Sequence, residues 1–478
     1  MKLLVFAHTP PPHHGQSYMV ELMLQNFGGD RRHPPRANAP SSPQGSNRAN
    51  APQASNPVSA SQASNGPLSH LEPNSPSSPQ TSNGTSSHQG ANGTSYGIEC
   101  YHVNARFSRS LEDVGEFQGV KILLIVWYCL TAIWCRFRYG VTDFYYVPAP
   151  GKRVAVYRDW LVMFLCRPFF KRLILHWHAA GLAKWLETCV QMRTRSLTYH
   201  WFKHADLSIV ISNYNVADAE KLRAQSVRVV SNGIPDPCRD YAVRVLPRRQ
   251  ARLAVRRQLV ARLEPSPEDL KTAGNDPHIV QVLYIAHCSR EKGLFAAAQG
   301  VALANAALAA DGSPLRFKLQ AAGSFVTRAE QLEFERLQAL PEFAGSLQHL
   351  GFVTGEKKDQ ALREADLFCF PTVYLGENQP VNLIEAMAYG LPILTTRWRS
   401  LPEMFPFGYP GLVDDQAPQK VADVLCQLLN FGNGRELRDH FLGQFTLQHH
   451  LENLAAAMRA LETPPVGIPL PQTIPARP

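Results

Sequence analysis

Short apolar runs alternate with segments of helical periodicity along most of the chain. The runs that predict buried strands begin with Lys2–His8 and Ile98–Val103 and continue to Val227–Ser231. Between them, apolar residues return at helical spacing, as in Val154–Cys166. A second series of the same kind begins at Val280–His287. Continuous apolar strands separated by helices are typical of parallel sheets that helices cover on both faces.

Two such series predict an α/β protein with two Rossmann-like domains that face each other across a cleft. We place the N-terminal domain at 1–236 and the C-terminal domain at 237–445. A helix at 446–462 is expected to return to the N-terminal domain, and the Pro-rich tail at 463–478 is expected to be disordered. Ligands of such sheets bind outside the carboxyl ends of the strands, so the loops that follow the strands are the places to search for a site.

A low-complexity segment at 28–95 interrupts the N-terminal domain. It consists almost entirely of Ser, Asn, Pro, Gln, Gly and Ala. Such a composition buries too little apolar surface to offset the entropy of ordering the chain. We therefore predict a disordered insertion.

Composition limits the class of protein. The 478 residues are 45% hydrophobic and 18% charged, and the nine cysteines occur singly without a Cys-x-x-Cys pair. That usage argues against a disulfide scaffold or a zinc ribbon and favours a reducing cytoplasm. The apolar run Leu3–Ala7 is too short for a secretory signal, and Ile122–Cys135 falls short of the roughly 20 residues that span a bilayer. A cytoplasmic location is expected, with Ile122–Cys135 as a buried or surface-docking helix.

The net charge of +9 is concentrated in basic patches at 136–138, 167–172 and 248–262, beside aromatic and aliphatic residues. Such patches suit phosphates or anionic lipid headgroups. No nucleic-acid-binding motif accompanies them, so nucleic acid is not expected as a partner. The first two patches predict peripheral contact with an anionic membrane, at its inner face. The alternative is a helix packed on the sheet and arginines that are simply solvated.

The most informative motif runs from Glu377 to Glu385. A predicted strand ends at Phe370-Pro371, a loop carries Glu377, and a helix opens near Asn382 and stops at Gly-Leu-Pro. The amino terminus of that helix favours a phosphate in the cleft. Glu385, one turn into the helix, is placed to accept from a ribose diol, and Glu377 to lie beside a transferred group. The alternative is an ordinary strand-loop-helix with two surface acids.

This segment resembles the Glu-x7-Glu signature of retaining GT-B glycosyltransferases, in particular glycosyltransferase family 4. Further segments follow in the order expected for that family. They are the first loop at Gly15-Gln16, the end of the N-terminal domain at Val229–Pro235, the Lys-Gly element at Tyr284–Leu294 and the base-bordering loop at Leu350–Val353.

The resemblance implies a role for several of these residues in binding the donor. Lys292 would neutralise the diphosphate, whose charge grows as it leaves. The family usually has an arginine five residues before this lysine, where this chain has His287. Arg290 or His287 would supply the missing interaction, and Val353 would border the base.

The resemblance also implies the residues around the donor sugar. Glu377 would hold the sugar as a catalytic residue, and His178 would contact it from the N-terminal domain, with His176 on the same strand face as the alternative. Where many members have a Gly-rich run after the first Glu, this chain has Asn378-Gln379-Pro380. Because Pro380 has no N–H to donate, the side chains of Asn378 and Gln379 are expected to replace lost backbone donors.

Together these features imply a retaining transferase that moves a sugar from a UDP- or GDP-linked donor to a glycan or lipid-linked acceptor. No cofactor is expected. His13-His14 has no further ligands at metal spacing, so no metal is expected either. Two alternatives stay open: a nucleotide-sugar epimerase of the same architecture, and a sugar-nucleotide-binding protein whose catalytic site has decayed.

Overall fold

The computed structural model describes residues 1–11, 15–33, 96–106, 119–149, 151–274, 276–429, 431 and 434–462. Most of the predicted insertion (34–95), the predicted tail (463–478) and the His13-His14 pair lie outside these residues.

The N-terminal sheet has six parallel strands in the order β2-β1-β3-β4-β5-β6. Its strands are β1 (Lys2–Ala7), β2 (Glu99–Asn104), β3 (Asp143–Tyr146), β4 (Arg172–Trp177), β5 (Leu207–Val210) and β6 (Val227–Val229). Its helices are α1 (Gly15–Asn26), α2 (Gly119–Tyr139), α3 (Arg153–Cys166), α4 (Leu182–Thr188), α5 (Met192–Phe202) and α6 (Val216–Lys221), with 3₁₀ turns at Arg167–Phe169 and Asn213–Asn215.

The C-terminal sheet also has six parallel strands, in the order β12-β11-β10-β7-β8-β9. Its strands are β7 (Ile279–Ile285), β8 (Arg316–Ala322), β9 (Leu347–Gly351), β10 (Leu367–Phe370), β11 (Ile393–Thr396) and β12 (Leu412–Val413). A π-helical turn at Tyr241–Val245 leads into α7 (Leu246–Val260) and α8 (Pro267–Ala273). The later helices are α9 (Leu294–Ala310), α10 (Arg328–Ala339), α11 (Gly355–Glu364), α12 (Val381–Ala388), α13 (Pro418–Leu428), α14 (Arg435–Gln444) and α15 (Leu447–Arg459), with 3₁₀ turns at Pro341–Phe343 and Leu401–Met404. The predicted α/β class with two Rossmann-like domains is confirmed.

The apolar runs form strands because both faces of each sheet are buried. One face of the N-terminal sheet buries Leu4 and Phe6 under α2 and α3, and the other buries Leu3 and Val5. The second face is covered in part by α15, whose Met458 belongs to the same apolar cluster. The last helix of the described residues therefore packs on the first domain.

The start of the C-terminal domain is helical at Leu246–Val260, although the apolar pattern of this domain was predicted to begin only at Val280. Arg249, Arg252 and Arg256 of α7 are 3%, 3% and 5% exposed. Asp366 forms an ion pair with Arg252 at 2.9 Å and accepts a hydrogen bond from Arg256 at 2.7 Å. Arg249 donates to the Gly390 carbonyl at 2.9 Å. The prediction of a basic patch at 248–262 is therefore wrong for these three arginines. They lie inside the domain and cannot bind phosphates or lipid headgroups.

The N-terminal domain extends further along the chain than the boundary predicted at Gly28. Asp30 bridges to Cys100 at the edge of the sheet, and its carboxylate accepts from the His102 amide at 3.0 Å. Residues 28–33 are therefore part of the domain.

A buried histidine on α15 makes the stability of the fold depend on pH. His450 is 2% exposed, its Nδ1 lies 2.7 Å from the Ser231 carbonyl oxygen, and burial lowers its pKa to about 4. In the unfolded chain the pKa is about 6.5, so the unfolded state binds more protons between these two values. The free energy of unfolding should fall as the pH drops from 6.5 to 4, by at most about 3 kcal/mol from this group.

The His450→Gln variant tests this because glutamine stays neutral over that range. Urea denaturation at pH 7 and pH 5 should show a smaller loss of stability in the variant than in the natural chain. An equal loss of stability in both proteins would show that His450 does not cause the pH dependence.

Candidate active site

The loops at the carboxyl ends of the two sheets meet each other. Arg399, after β11, donates to the Ala180 carbonyl, after β4, at 2.8 Å. The Asn213 amide, after β5, donates to the Glu403 carboxylate at 2.7 Å. Parallel sheets bind their ligands at the carboxyl ends of their strands. These contacts show that this edge of each sheet lies between the two domains.

Glu377 lies in the loop between β10 and α12 and is 7% exposed. Lys292, in the loop between β7 and α9, donates to its Oε2 at 2.6 Å, and the Thr372 hydroxyl donates to the same oxygen at 3.1 Å. The Lys292 ammonium also lies 4.2 Å from the centre of the Tyr374 ring. A buried carboxylate requires such partners, because an unpaired charge away from water is costly.

Gly293 brings these two loops together. It has a φ of +88°, in the left-handed region, and begins the turn into α9. A Cβ at this position would lie 2.3 Å from the Pro371 carbonyl oxygen at the end of β10. Only glycine allows this close approach of the Lys292 loop to the end of β10 without displacing the backbone.

Glu385 is paired with a lysine that the sequence did not point to. Lys358, on α11, donates to its Oε1 at 2.6 Å. Burial, followed by the charge of Glu385, raises the pKa of Tyr18 on α1 to about 12. The Tyr18 phenol therefore keeps its proton and remains a donor near this carboxylate.

The start of α1 approaches the same helix. An ideal Cβ on Gly15 would lie 3.4 Å from the side chain of Val381 at the start of α12. The neighbouring Gln16 is half-buried on α1. Both predicted residues are thus on the element that faces α12.

His287 and Arg290 differ in their surroundings. Burial, then the charge of Lys292, lowers the pKa of His287, so its imidazole is neutral at pH 7 and does not supply the charge of an arginine. Arg290 is exposed, and its guanidinium contacts Glu333 at 2.5 Å and lies 4.8 Å from the ring centre of Phe295. The cation held against Glu377 is Lys292.

The predicted residues after Glu377 make structural contacts. Asn378 and Gln379 are buried against the N-terminal domain, with the Asn232 amide donating to Gln379 Oε1 at 2.8 Å. Asn382 donates from its side chain to the Ile285 carbonyl at 2.7 Å, which ties α12 to the end of β7. Val353 is half-buried in the loop after β9.

The rings of His176, on β4, and of His178, just after it, lie 4.2 Å apart between their centres. His176 is buried, and its Nδ1 lies 2.5 Å from the hydroxyl of Tyr145. Burial lowers its pKa well below the usual range, so it is neutral. His178 follows the last residue of the strand and is half-buried. Of the two, His178 is therefore the one accessible at the strand end.

Lys358, Tyr18 and Thr372 are the nearby residues that sequence reasoning missed. Lys358 lies on an exposed-looking helix 27 residues before Glu385, and no local pattern links them. Thr372 lies two residues after the end of β10 and five before Glu377. This short separation in sequence is the one feature that could have pointed to their contact. Among the residues that the structure describes, no group of three or more His, Cys, Asp or Glu could hold a metal ion.

Comparison with known families bears on the second domain. Residues 280–430 match the family described as Glycosyl transferases group 1. The matched range contains Lys292, Glu377 and Glu385 together with Thr372 and Lys358, which donate to the two carboxylates.

Two curated relatives are similar over part of their length. The putative colanic acid biosynthesis glycosyltransferase WcaL of Salmonella typhimurium is 27% identical over 31% of this chain and 36% of the relative. The amylovoran biosynthesis glycosyltransferase AmsK of Erwinia amylovora is 24% identical over 35% of this chain and 39% of the relative. The match thus spans about two fifths of these relatives.

Solved structures agree over nearly the whole chain. The sucrose-phosphate synthase of Thermosynechococcus elongatus has a TM-score of 0.57 at 14% identity, covering 97% of this chain and 99% of that one. At that identity the likeness shows the fold alone. The chain has the GT-B fold.

Proposed function

We propose that the chain is a retaining glycosyltransferase of the family 4 type, which transfers a sugar from a nucleotide-diphosphate donor to the hydroxyl of a glycan or lipid-linked acceptor. The observation that carries this is the placement of Glu377 and Glu385, each beside a lysine, at the inter-domain edge of the second sheet. Paired carboxylates and lysines around the start of a helix suit a ligand that combines hydroxyls with phosphates.

The donor would displace each lysine from its carboxylate partner. Lys292 would move from Glu377 to the diphosphate and stabilise the charge that develops on the leaving group. Glu377 would then accept from hydroxyls of the sugar, and Glu385 from the ribose diol. His178 would contact the sugar from the first domain.

Retention requires the acceptor oxygen to attack the face that the diphosphate leaves. In our proposal the acceptor hydroxyl loses its proton to a departing phosphate oxygen as the new glycosidic bond forms. Contact between the domains excludes water from the oxocarbenium-like centre. UDP and GDP both remain candidate nucleotides.

Incubation of the full-length protein with a panel of UDP- and GDP-sugars tests the reaction class. We expect slow release of the nucleoside diphosphate from one donor, with the free sugar first appearing in the donor's own anomeric configuration by proton NMR. Conversion of a sugar nucleotide to its epimer would instead support the epimerase. Binding of a donor without release or conversion would support a decayed site.

Affinities for nucleoside mono- and diphosphates distinguish the role of Glu385 from that of Lys292. Glu385→Ala should weaken binding of both UMP and UDP, or both guanosine analogues, by about 1–3 kcal/mol for the lost charged hydrogen bonds. Lys292→Met should weaken binding of the diphosphate by a similar amount and leave binding of the monophosphate nearly unchanged, because the monophosphate lacks the second phosphate that Lys292 would contact.

Calorimetry on folded variants measures both effects. Glu364→Ala is the matched control, because Glu364 lies on α11 and accepts only from Gln360 in its own helix at 2.8 Å among its described bonds. Unchanged affinities in Glu385→Ala, or equal losses for mono- and diphosphate in Lys292→Met, would contradict the assignments.

We also propose that the N-terminal domain docks on an anionic membrane, which would bring a lipid-linked acceptor to the cleft. The outer face of α2 carries an apolar stripe whose members are 54–71% exposed. They are Leu123, Trp127, Leu130, Trp134 and Phe137. The opposite face buries Cys129, Ala132 and Cys135 completely in the domain. Aromatic and aliphatic side chains on one face of a helix suit the headgroup boundary.

The length of α2 corrects one expectation. Its stretch Ile122–Tyr139 is long and apolar enough to cross a membrane by length and composition, and 22% of it is buried. The apolar run predicted from the sequence stopped at Cys135. Because one face of α2 packs in the domain core, we propose that the helix lies on the membrane surface.

Charge around the stripe has one sign. From Gly119 to His204 the chain has thirteen Lys or Arg and three Asp or Glu. Two of the acids, Asp143 and Asp159, are buried and paired with Arg172 and Arg158. Each basic residue near an anionic surface contributes about 1 kcal/mol.

Co-sedimentation with liposomes tests this docking. The protein should bind vesicles containing phosphatidylserine, bind neutral vesicles less, and be released by salt. Charge reversal of the exposed Arg138, Lys171 and Arg193 to Glu should abolish most binding. Arg167 and Arg172 are unsuitable for this purpose, because they hold backbone carbonyls and Asp143.

The matched control reverses Lys271, Arg328 and Arg435, which are exposed on the second domain. It changes the net charge equally and should still bind. Protein that stays in the supernatant at low salt would contradict the docking. A concentration-dependent dimer in light scattering would assign the stripe to a second copy.

A further inference from the structure

Asn378 carries one half of a contact that joins the loop between β10 and α12 to the N-terminal domain. Its side chain is 2% exposed. The Ser212 hydroxyl donates to its Oδ1 at 2.7 Å, and its Nδ2 donates to the Oδ1 of Asn215. Both hydrogen-bonding groups of the amide are therefore engaged by the N-terminal domain.

Gln379 carries the other half and is 7% exposed. The backbone amide of Asn232 donates to its Oε1 at 2.8 Å, and the Asn232 side chain donates to its carbonyl at 3.1 Å. Its own Nε2 donates to the hydroxyl of Ser231 at 3.3 Å. Two successive residues thus have their amides satisfied by the loops that follow β5 and β6.

The contact is neutral, buried and directly attached to Glu377. Amide and hydroxyl groups removed from water are costly unless every one is hydrogen-bonded, so loss of one partner leaves the others unsatisfied. On its own side the loop is held by Ser400, whose hydroxyl donates to the Asn378 carbonyl at 2.7 Å. The backbone next to Glu377 is therefore held from both domains.

We propose that Asn378 and Gln379 form an inter-domain clasp with Ser212, Asn215, Ser231 and Asn232, and that this clasp positions Glu377. Ser212 and Asn232 are then positioning residues for a carboxylate on the opposite domain. A sugar could bind these amides only by displacing partners that already satisfy them, so the clasp assigns them a different role from that of sugar ligands. The role of Glu377 itself rests on the proposed function, whereas the mechanical role of the clasp does not.

Hydrogen exchange of the free, full-length protein tests the mechanical role. The Glu377 amide donates to the Tyr374 carbonyl at 3.1 Å, and its exchange reports opening of the loop. Ser212→Ala and Asn232→Ala each remove one donor to the loop from the N-terminal domain. Each should speed exchange in peptides covering 372–382 by about tenfold, the effect of losing one buried hydrogen bond.

Asn305→Ala is the matched control, because Asn305 exchanges two hydrogen bonds with Phe317 inside the second domain, at 3.0 and 2.7 Å. It should destabilise that domain without selectively opening 372–382. A double variant, Ser212→Ala with Asn378→Ala, should exchange no faster than Asn378→Ala alone. Loop exchange equal to that of the natural chain, or to that of Asn305→Ala, or additive effects in the double variant, would overturn the clasp.

Kinetics then separate positioning from simple stability. Ser212→Ala and Asn232→Ala should raise the KM for the donor several-fold and leave the KM for the acceptor unchanged, which Asn305→Ala should not reproduce. Equal effects on both KM values would overturn the positioning of Glu377. Failure of every variant and of the natural chain to use a donor would refute the proposed function, and the exchange result would still decide the clasp.

Discussion

The ion pair between Lys292 and Glu377 is the constraint on which the site depends. It joins the loop after β7 to the loop after β10, and the backbones of these two loops approach each other closely at Gly293. Because Glu377 is nearly buried, its charge is tolerable only beside Lys292 and Thr372. A ligand that takes the lysine must therefore offer the carboxylate new donors, which is what a sugar diphosphate provides.

The second carboxylate of the site is also paired with a lysine. Lys358 and Glu385 form a second pair at 2.6 Å. Without a ligand, the two ammonium groups therefore balance the charge of the two carboxylates. Contacts from the N-terminal domain reach the loop beside the first carboxylate through neutral amides. The charge of the chain is concentrated elsewhere, around α2, α3 and α5. In our proposal, donor binding and membrane docking therefore lie on different domains.

Much of the fold follows from the sequence because strands buried on both faces leave continuous apolar runs. The buried helix at 246–260 was not predicted, because its inward face carries arginines and not apolar residues. The burial of Arg249, Arg252 and Arg256 depends on the distant Asp366 and on backbone carbonyls. The positions of Glu377 and Glu385 on a loop and a helix were predictable from the strand end and the Gly-Leu-Pro stop. Their lysine partners follow only in part: Lys292 from its Gly293 neighbour, Lys358 from nothing local. The orientation of the Asn378 and Gln379 amides depends on residues more than 140 positions away, which no local pattern encodes.

A crystal structure of the complex with the nucleoside diphosphate that binds most tightly tests the central claim directly. Our account predicts phosphate oxygens within hydrogen-bond distance of Lys292 Nζ, the Lys292–Glu377 pair broken, and the ribose hydroxyls at Glu385. A nucleotide bound elsewhere, with both lysine–glutamate pairs intact, would contradict it.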